Sequence, residues 1–430
     1  MKYRIVCKTC GREIGGFEEW FRMGQRCHCG SSMVEVEYPE ADYGRLSFGG
    51  GDSMYGYFDY LPLNHSGSVV SMGEGAVPIE RWGYLEEFAA REGVRCQVWV
   101  VRNDLNGGTG TFKDISASLA ASVLKECGVR RYCLSSTGNA ALSFATYLAA
   151  AGIEFWEFAP SYVDAQTVDA FKATGQHLEI VGGNYGEANK AASLFSDREH
   201  VLCSLGNTDP LRIESKKVLV FECLRQMGAL PTVYVQAVAG GTSPLAFYKG
   251  CRDMGLGLPR MVLAQQDTCD PMVTAWEEAQ ASGFPAGWER RYRARTDVNT
   301  RIGILTAANP GNYPLLAPLV RQSGGCFVRV RESDIVDEGR AMVAARKPLM
   351  GPASVVCFLG FREAVGRGLV HDGDTVLLNM GEGSARYDWF KEQILISDDS
   401  NMDNGGLFGN RGGRGFGICP PGSLSTPEWA

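Results

Sequence analysis

Short apolar runs recur through the middle of the chain, each separated from the next by a stretch with helical spacing. Segments 97–101, 131–134, 155–159, 178–181, 232–235, 261–264 and 375–378 are four or five residues long and apolar almost throughout. Runs of that length predict strands buried on both faces. Segments 115–127, 140–151 and 163–173 have the length and apolar spacing of helices. Strands alternating with such helices predict βαβ units and a largely parallel sheet, hence an α/β fold. Residues 207–228 separate two such stretches, so two α/β lobes are expected. The smaller, at about 130–205, is expected to be inserted in the larger within a catalytic region of residues 41–396. No run of 18 apolar residues occurs, so no membrane span is predicted.

The two ends differ from this pattern. Residues 1–40 carry Cys7-Lys8-Thr9-Cys10-Gly11 and Cys27-His28-Cys29-Gly30. Two Cys pairs, each trailed by Gly, resemble the knuckles of a zinc ribbon. Zinc takes four soft ligands in a tetrahedron, and the glycine permits the left-handed turn that aims both sulfurs at one ion. The second pair is tighter than usual, so His28 is an alternative ligand, and free buried thiols are the alternative to a metal site. The other ten cysteines are scattered and read as small core residues. Met1-Lys2-Tyr3-Arg4 leads into polar sequence rather than an apolar signal region, so a cytoplasmic protein is expected. The tail 397–430, with Asn404-Gly405-Gly406, Gly412-Gly413-Arg414-Gly415 and Pro420-Pro421, is expected to be extended or disordered, draped on another subunit.

Glycine sharpens the picture. The chain holds 54 in 430 residues, where an average composition would give about 30. Eight fall between Gly405 and Gly422 in the tail. Many of the rest follow predicted strands, where a backbone must approach a ligand. The net charge of −7 and a pI near 5.5 argue against a nucleic-acid partner. They leave room for a local basic pocket.

Four loops after predicted strands carry the candidate chemistry, since ligands of open α/β sheets bind at the carboxyl ends of strands. Asn106-Gly107-Gly108-Thr109-Gly110-Thr111-Phe112-Lys113-Asp114 is a glycine-rich loop opening a helix with a lysine, a candidate imine-forming nucleophile. Ser135-Ser136-Thr137-Gly138-Asn139 places three hydroxyls at a helix start, a ready carboxylate site or ordinary capping. Ala239-Gly240-Gly241-Thr242-Ser243 can cradle a phosphate with backbone N–H groups, or be a plain tight turn. Asn379-Met380-Gly381-Glu382-Gly383-Ser384 is a fourth glycine-rich turn.

Together these loops resemble the threonine synthase group of pyridoxal-phosphate enzymes, the fold-type II or tryptophan synthase β-like class, over residues 55–390. Segment 55–62 with 71–78 looks like that family's entry segment. Thr111-Phe112-Lys113-Asp114 is similar to its SFKD motif, and Ser135–Asn139 to its SSxGN loop. Gly206-Asn207-Thr208-Asp209-Pro210-Leu211-Arg212 is similar to its asparagine–proline–arginine stretch. The resemblance implies two doubly wound lobes behind a small zinc-ribbon-like segment. It implies pyridoxal 5'-phosphate as cofactor, with structural zinc on Cys7, Cys10, Cys27 and Cys29. Lys113 would hold the cofactor as a Schiff base and shuttle protons, with Phe112 beside it. Asn139 would bind the phenolic oxygen, and Ala239, Gly240, Gly241 and Thr242 the phosphate. Ser135, Ser136 and Thr137 would grip the substrate carboxylate. Lys172, Arg212, Lys216, Ser116 and Asn309 are candidates for a substrate phosphate.

Three stretches depart from the family pattern. The family's phosphate loop is richer in glycine, and here Val238 and Ala239 intrude. Met380-Gly381-Glu382-Gly383 stands where a TGHG segment supplies a hydroxyl to the pyridine nitrogen, leaving Asn379, Glu382 and Ser384 as candidates for that contact. Met350-Gly351-Pro352-Ala353-Ser354 stands where the family has EPASA. The implied activity is replacement or elimination on an O-phosphorylated amino acid by a homodimer. Threonine synthase, converting O-phosphohomoserine and water to threonine and phosphate, is the leading expectation. Cysteate synthase, using O-phosphoserine and sulfite, or another β- or γ-replacement enzyme of specialised biosynthesis, is the alternative. A non-catalytic relative or a zinc-ribbon interaction protein is the alternative of another class.

Overall fold

The computed structural model describes residues 2–296 and 298–399, so the expected glycine-rich tail lies outside the described residues from Ser400 onward. Three strands begin the chain: β1 (Arg4–Cys7), β2 (Glu13–Ile14) and β3 (Val34–Glu37). They form an antiparallel sheet with β1 in the centre. One face is buried by Ile5, Ile14, Val34 and Val36 against Phe17 and Trp20, which gives the alternation expected of a half-covered sheet.

The large lobe starts with β4 (Ile79–Arg81) and β5 (Gln97–Val101). The chain then leaves for a smaller sheet of β6 (Arg131–Ser135), β7 (Glu154–Pro160), β8 (His177–Val181) and β9 (Leu202–Cys203), all parallel, in the order β8-β7-β6-β9. It returns through β10 (Val233–Ala237), β11 (Arg260–Gln266), β12 (Cys326–Val330) and β13 (Thr375–Asn379). These complete a six-stranded sheet, β12-β11-β10-β13-β5-β4, parallel except at the β4 edge. Helices cover both faces. Among the described residues no helix is long and apolar enough to cross a membrane.

Every strand expected from the apolar runs is present within two or three residues at each end; most of those runs are buried, whereas β8, at the edge of the small sheet, leaves Glu179 and Ile180 exposed. Six strands carry no such run, β1 and β2 of the N-terminal sheet among them, and polar interruptions or shortness hide the others. β12 carries Arg329, whose guanidinium pairs with Asp270 and Glu277 at the sheet edge and breaks the apolar run. β4 and β9 are three and two residues long. β3 alternates valine with glutamate.

A buried ionic cluster fastens the N-terminal sheet to the large lobe. The Tyr38 hydroxyl donates to Glu214 Oε2 at 2.8 Å. Lys217, with its side chain fully buried, reaches Glu214 at 2.6 Å and Asp253 at 3.4 Å, and its ammonium stands 3.8 Å from the centre of the Tyr38 ring. Lys249 pairs with Asp253 and, at 3.4 Å, with Glu214. Each ion is costly to bury alone and is tolerated because its partners are within reach. Lys217→Met is therefore expected to destabilise the protein by about 3 kcal/mol. Arg22→Ala, which removes only the exposed pair with Glu18, should cost about 0.5 kcal/mol or less. Urea unfolding of the two variants checks the contrast.

Candidate active site

Lys113 opens the helix Lys113–Glu126, directly after the first glycine-rich loop. Packing sets the shape of that loop. A Cβ on Gly107 would overlap the Met72 carbonyl, and Gly108, at φ +85°, lies against the Tyr147 ring. The Asp114 carboxylate closes the loop by accepting from the Thr109 hydroxyl at 2.6 Å and from the N–H groups of Thr109 and Thr111 at 3.0 and 3.2 Å. Behind it the buried Glu74 carboxylate accepts from Ser71, Met72 N–H, Ser118 and Tyr147, at 2.6–3.0 Å. This pins the entry segment to the helices Lys113–Glu126 and Asn139–Ala150.

The Phe112 N–H donates to the Gly381 carbonyl at 3.0 Å, and Thr111 bridges Glu382 in antiparallel register. The lysine is thus held against the fourth loop. Its ammonium lies 4.2 Å from the centre of the Phe112 ring. Desolvation, reinforced by the charge of Arg212 and opposed by Glu382, lowers its pKa to about 8. A lysine so tuned is deprotonated often enough near neutral pH to act as a nucleophile and proton carrier.

β10 ends at Ala237, and the chain turns through Gly240 and Gly241 into the helix Thr242–Asp253. A Cβ on Gly240 would overlap the Asn207 amide, and Gly241 has φ +76°. The Thr242 hydroxyl bonds to Asn207 Oδ1 at 3.1 Å, and Asn312 donates to the Asn207 carbonyl at 3.0 Å. The Ser243 hydroxyl is buried without a protein partner. Free N–H groups at a helix start, a bare glycine pair and an orphaned hydroxyl together suit a phosphate.

Glu382 joins the remaining loops. Its carboxyl accepts from Asn139 Nδ2 at 3.2 Å and from the Ser354 N–H at 3.3 Å. The Ser354 hydroxyl accepts from Gly381 N–H and Glu382 N–H and donates to the Glu382 carbonyl. The Arg386 guanidinium donates to Asn139 Oδ1. Burial pushes the Glu382 pKa up to about 7, against the pull of Arg386, the Ser354 N–H and Lys113.

Phe112, Lys113, Asn139, Ala239, Gly240, Gly241, Thr242 and Glu382 line one cavity. Of the polar side chains offered for a ring nitrogen, Glu382 faces this cavity. Asn379 is engaged with Asn103 and Tyr234, and Ser384 lies outside the lining. The substrate candidates Ser135, Ser136, Thr137, Lys172 and Arg212 are not in the lining either. Ser135 donates to Asn189 at 3.0 Å, Ser136 accepts from the Gly138 N–H at 3.2 Å, and Thr137 is partly exposed. Lys172 is exposed at the end of the helix Ala165–Lys172. Arg212 is buried, stacks 5.0 Å from the centre of the Phe144 ring and donates to the Ser204 hydroxyl at 3.1 Å. Sequence reasoning left Asn207, Gln236 and Ile304 unassigned, yet all three line the cavity. Asn207 lies within a quoted motif and Gln236 opens the strand-to-helix segment that runs to Ser243, so both were within reach; Ile304 carries no local signal.

The donor set fits pyridoxal phosphate: an amine-bearing wall, an amide opposite it and a phosphate cradle open onto one cavity. At the N-terminus the sulfurs of Cys7, Cys10, Cys27 and Cys29 all lie within 4.8 Å of one another, with Cys7–Cys29 at 3.6 Å and Cys10–Cys27 at 3.7 Å. A zinc tetrahedron with bonds of about 2.3 Å places its sulfurs about 3.8 Å apart. Gly11 and Gly30 take the left-handed conformation expected after each pair, at φ +72° and +85°. His28 is not part of the group.

Metal analysis is expected to give about one zinc per chain, lowered by Cys7→Ser; a well-folded protein without zinc would remove the ribbon reading. A second expectation concerns pH. The folded-state pKa of Glu382 is raised from 4.5 to about 7. The folded protein therefore holds this proton where the unfolded chain has lost it, and stability falls as pH rises through that window. Urea unfolding of the cofactor-free protein at pH 5 and pH 8 should show the fall, and Glu382→Gln should flatten it.

Comparison with known proteins agrees with this geometry. Threonine synthase of Methanocaldococcus jannaschii is 25% identical over 417 residues, covering 92% of this chain and 97% of the relative. Threonine synthase of a Synechocystis species is 27% identical over 311 residues, covering 71% and 75%. Among solved structures, O-ureido-L-serine synthase superposes with a TM-score of 0.59 at 17% identity, over 80% of this chain and 98% of that one. The L-serine ammonia-lyase of Rhizomucor miehei superposes with a TM-score of 0.61 at 15% identity, over 75% and 99%. These likenesses carry the fold. The model of the pyridoxal-phosphate dependent enzyme family matches residues 70–381, from the entry segment to the fourth loop, and the chain belongs to that family.

Proposed function

We propose that this enzyme acts on an O-phosphorylated amino acid, and that its reaction is that of a threonine synthase: O-phosphohomoserine and water to threonine and phosphate. The observation that carries the reading is a gathering of basic side chains, Lys113 and Lys216 in the cavity wall with Arg212 near enough to act on both. Lys216 is buried, with its ammonium 5.1 Å from the centre of the Phe112 ring. Desolvation, then the charges of Lys113 and Arg212, hold its pKa well below the usual lysine range, with Asp209 opposing. Three cations so placed are mutually unfavourable until an anion joins them, and a substrate phosphate supplies one. The similarity to threonine synthases over nearly the whole chain supports the same choice.

Pyridoxal phosphate, when bound, supplies the electron sink for charge developing at the substrate Cα. The chain's own groups do the rest. Lys113 takes and returns protons at the reacting carbons, with a pKa close to working pH. The N–H groups from Gly240 to Ser243 hold the cofactor's phosphate, and Asn139, braced by Glu382 and Arg386, orients its ring. The loop from Ser135 to Thr137 receives the substrate carboxylate, while Lys216 and Arg212 receive its phosphate and later the released ion. Holding the reacting groups in register is where most of the rate would come from.

Phosphate release should be measured with O-phosphohomoserine, and with O-phosphoserine in the presence and absence of sulfite or sulfide. Release from O-phosphohomoserine is expected. Release solely from O-phosphoserine with sulfite would replace this reading with cysteate synthase, and no release from any of them would favour a non-catalytic relative. Lys113→Ala should abolish both turnover and the borohydride-sensitive visible absorbance of the bound cofactor. Lys216→Ala should raise the KM of the phosphorylated substrate by about tenfold or more, the usual loss for a hydrogen bond to a charged group.

A further inference from the structure

Gln25 stands out in the N-terminal segment. It has φ +57°, directly after Gly24 at φ +62°, in a turn where a side chain other than glycine is uncommon. It is also buried, at 6% exposure. Its amide reaches out of the N-terminal segment and donates to the carbonyl of Cys203 at 2.6 Å, 178 residues along the chain. A left-handed conformation at a buried glutamine is retained where its surroundings over-determine it, and such outliers cluster at working sites.

The acceptor is well placed to matter. Cys203 ends β9, the short edge strand of the small lobe, where the chain crosses back to the large lobe. The next residue, Ser204, is held from one side by its N–H, which donates to the Cys133 carbonyl at 2.9 Å. Its hydroxyl accepts from Arg212 at 3.1 Å and donates to Asp209 Oδ2 at 3.1 Å. The Nε of Arg212 is buried without a protein partner, so Ser204 and the face of Phe144 fix the direction of this guanidinium. One hydrogen bond from Gln25 therefore anchors the crossing segment that aims Arg212. Gln25 itself sits two residues before Cys27, one of the four clustered cysteines.

We infer that Gln25 is a positioning residue for substrate binding. It pins the small-lobe crossing at Cys203–Ser204 to the four-cysteine segment and so sets the direction of Arg212 toward the substrate's anionic group. The inference rests on the proposed role of Arg212. It adds to the N-terminal segment a task in recognition, separate from the reacting carbons and from the cofactor's phosphate cradle.

The informative variant is Gln25→Asn. Asparagine tolerates the left-handed turn but is one methylene too short to reach the Cys203 carbonyl. Arg212→Lys and the double variant accompany it, all as holoenzyme with unchanged zinc content. Amide exchange at residues 202–205 is expected to quicken in Gln25→Asn. KM for the substrate identified by phosphate release should rise roughly three- to tenfold, the loss of one hydrogen bond, with kcat within about twofold. In the double variant the KM increase should fall short of the product of the two single effects, because both act through one guanidinium. Unchanged exchange at 202–205, or a raised KM in Arg212→Lys beside an unchanged KM in Gln25→Asn, would overturn the inference. Unchanged KM in Arg212→Lys would overturn the substrate role of Arg212 and the inference with it, while phosphate release from O-phosphohomoserine would still stand as the test of the reaction itself.

Discussion

The site is organised around the one carboxyl group that three separate loops share. Glu382 receives the Asn139 amide from the small lobe and the Ser354 N–H from the large lobe, and its backbone is laced to the strand-like segment before Lys113. No room is left over: a Cβ on Gly351 would come 2.5 Å from Glu382 Oε1. Such a group cannot ionise freely, and burial holds its proton to near neutrality. Whatever alters its charge is felt at once by the amide, the lysine and the loop that closes the pocket. The site's geometry and its proton inventory are therefore one problem rather than two.

Much of the fold could be read from residues alone, and for a definite reason. A parallel strand with helices on both sides must be apolar nearly throughout, so Val98, Val100, Val233, Val235, Met261 and Leu263 announce themselves. What escaped reading was structure that mixes polarities. Arg329 hides β12 because its charge is met by Asp270 and Glu277 from elsewhere in the chain. The entry segment hides its purpose because Glu74 is meaningful only beside Ser118 and Tyr147.

The candidate site was legible to the same extent and with the same limit. Loops that follow strands could be placed, and Lys113, Asn139, Gly240 and Glu382 share one cavity. The excess of glycine proved less uniform than a ligand-facing explanation requires. Gly240 and Gly241 line the cavity, yet a Cβ on either would meet Asn207 or Leu316, just as one on Gly107 or Gly108 would meet Met72 or Tyr147. Spacing along a sequence cannot say whether a missing side chain makes way for a ligand or for another part of the protein. Lys172 shows the converse: its type and position in the chain suit an anion, but it ends on an exposed helix terminus.

The clasp of Lys217, Glu214, Asp253 and Lys249 beneath Tyr38 bears on how this chain can have been assembled over evolutionary time. The first forty residues look like a module that could be gained or shed whole, with a seam near residue 40. Tyr38 covers a set of ions that water would otherwise reach, so shedding the module would leave two lysines and two carboxylates facing solvent in a lobe shaped to exclude it. The seam visible in composition is, for heredity, part of the interior.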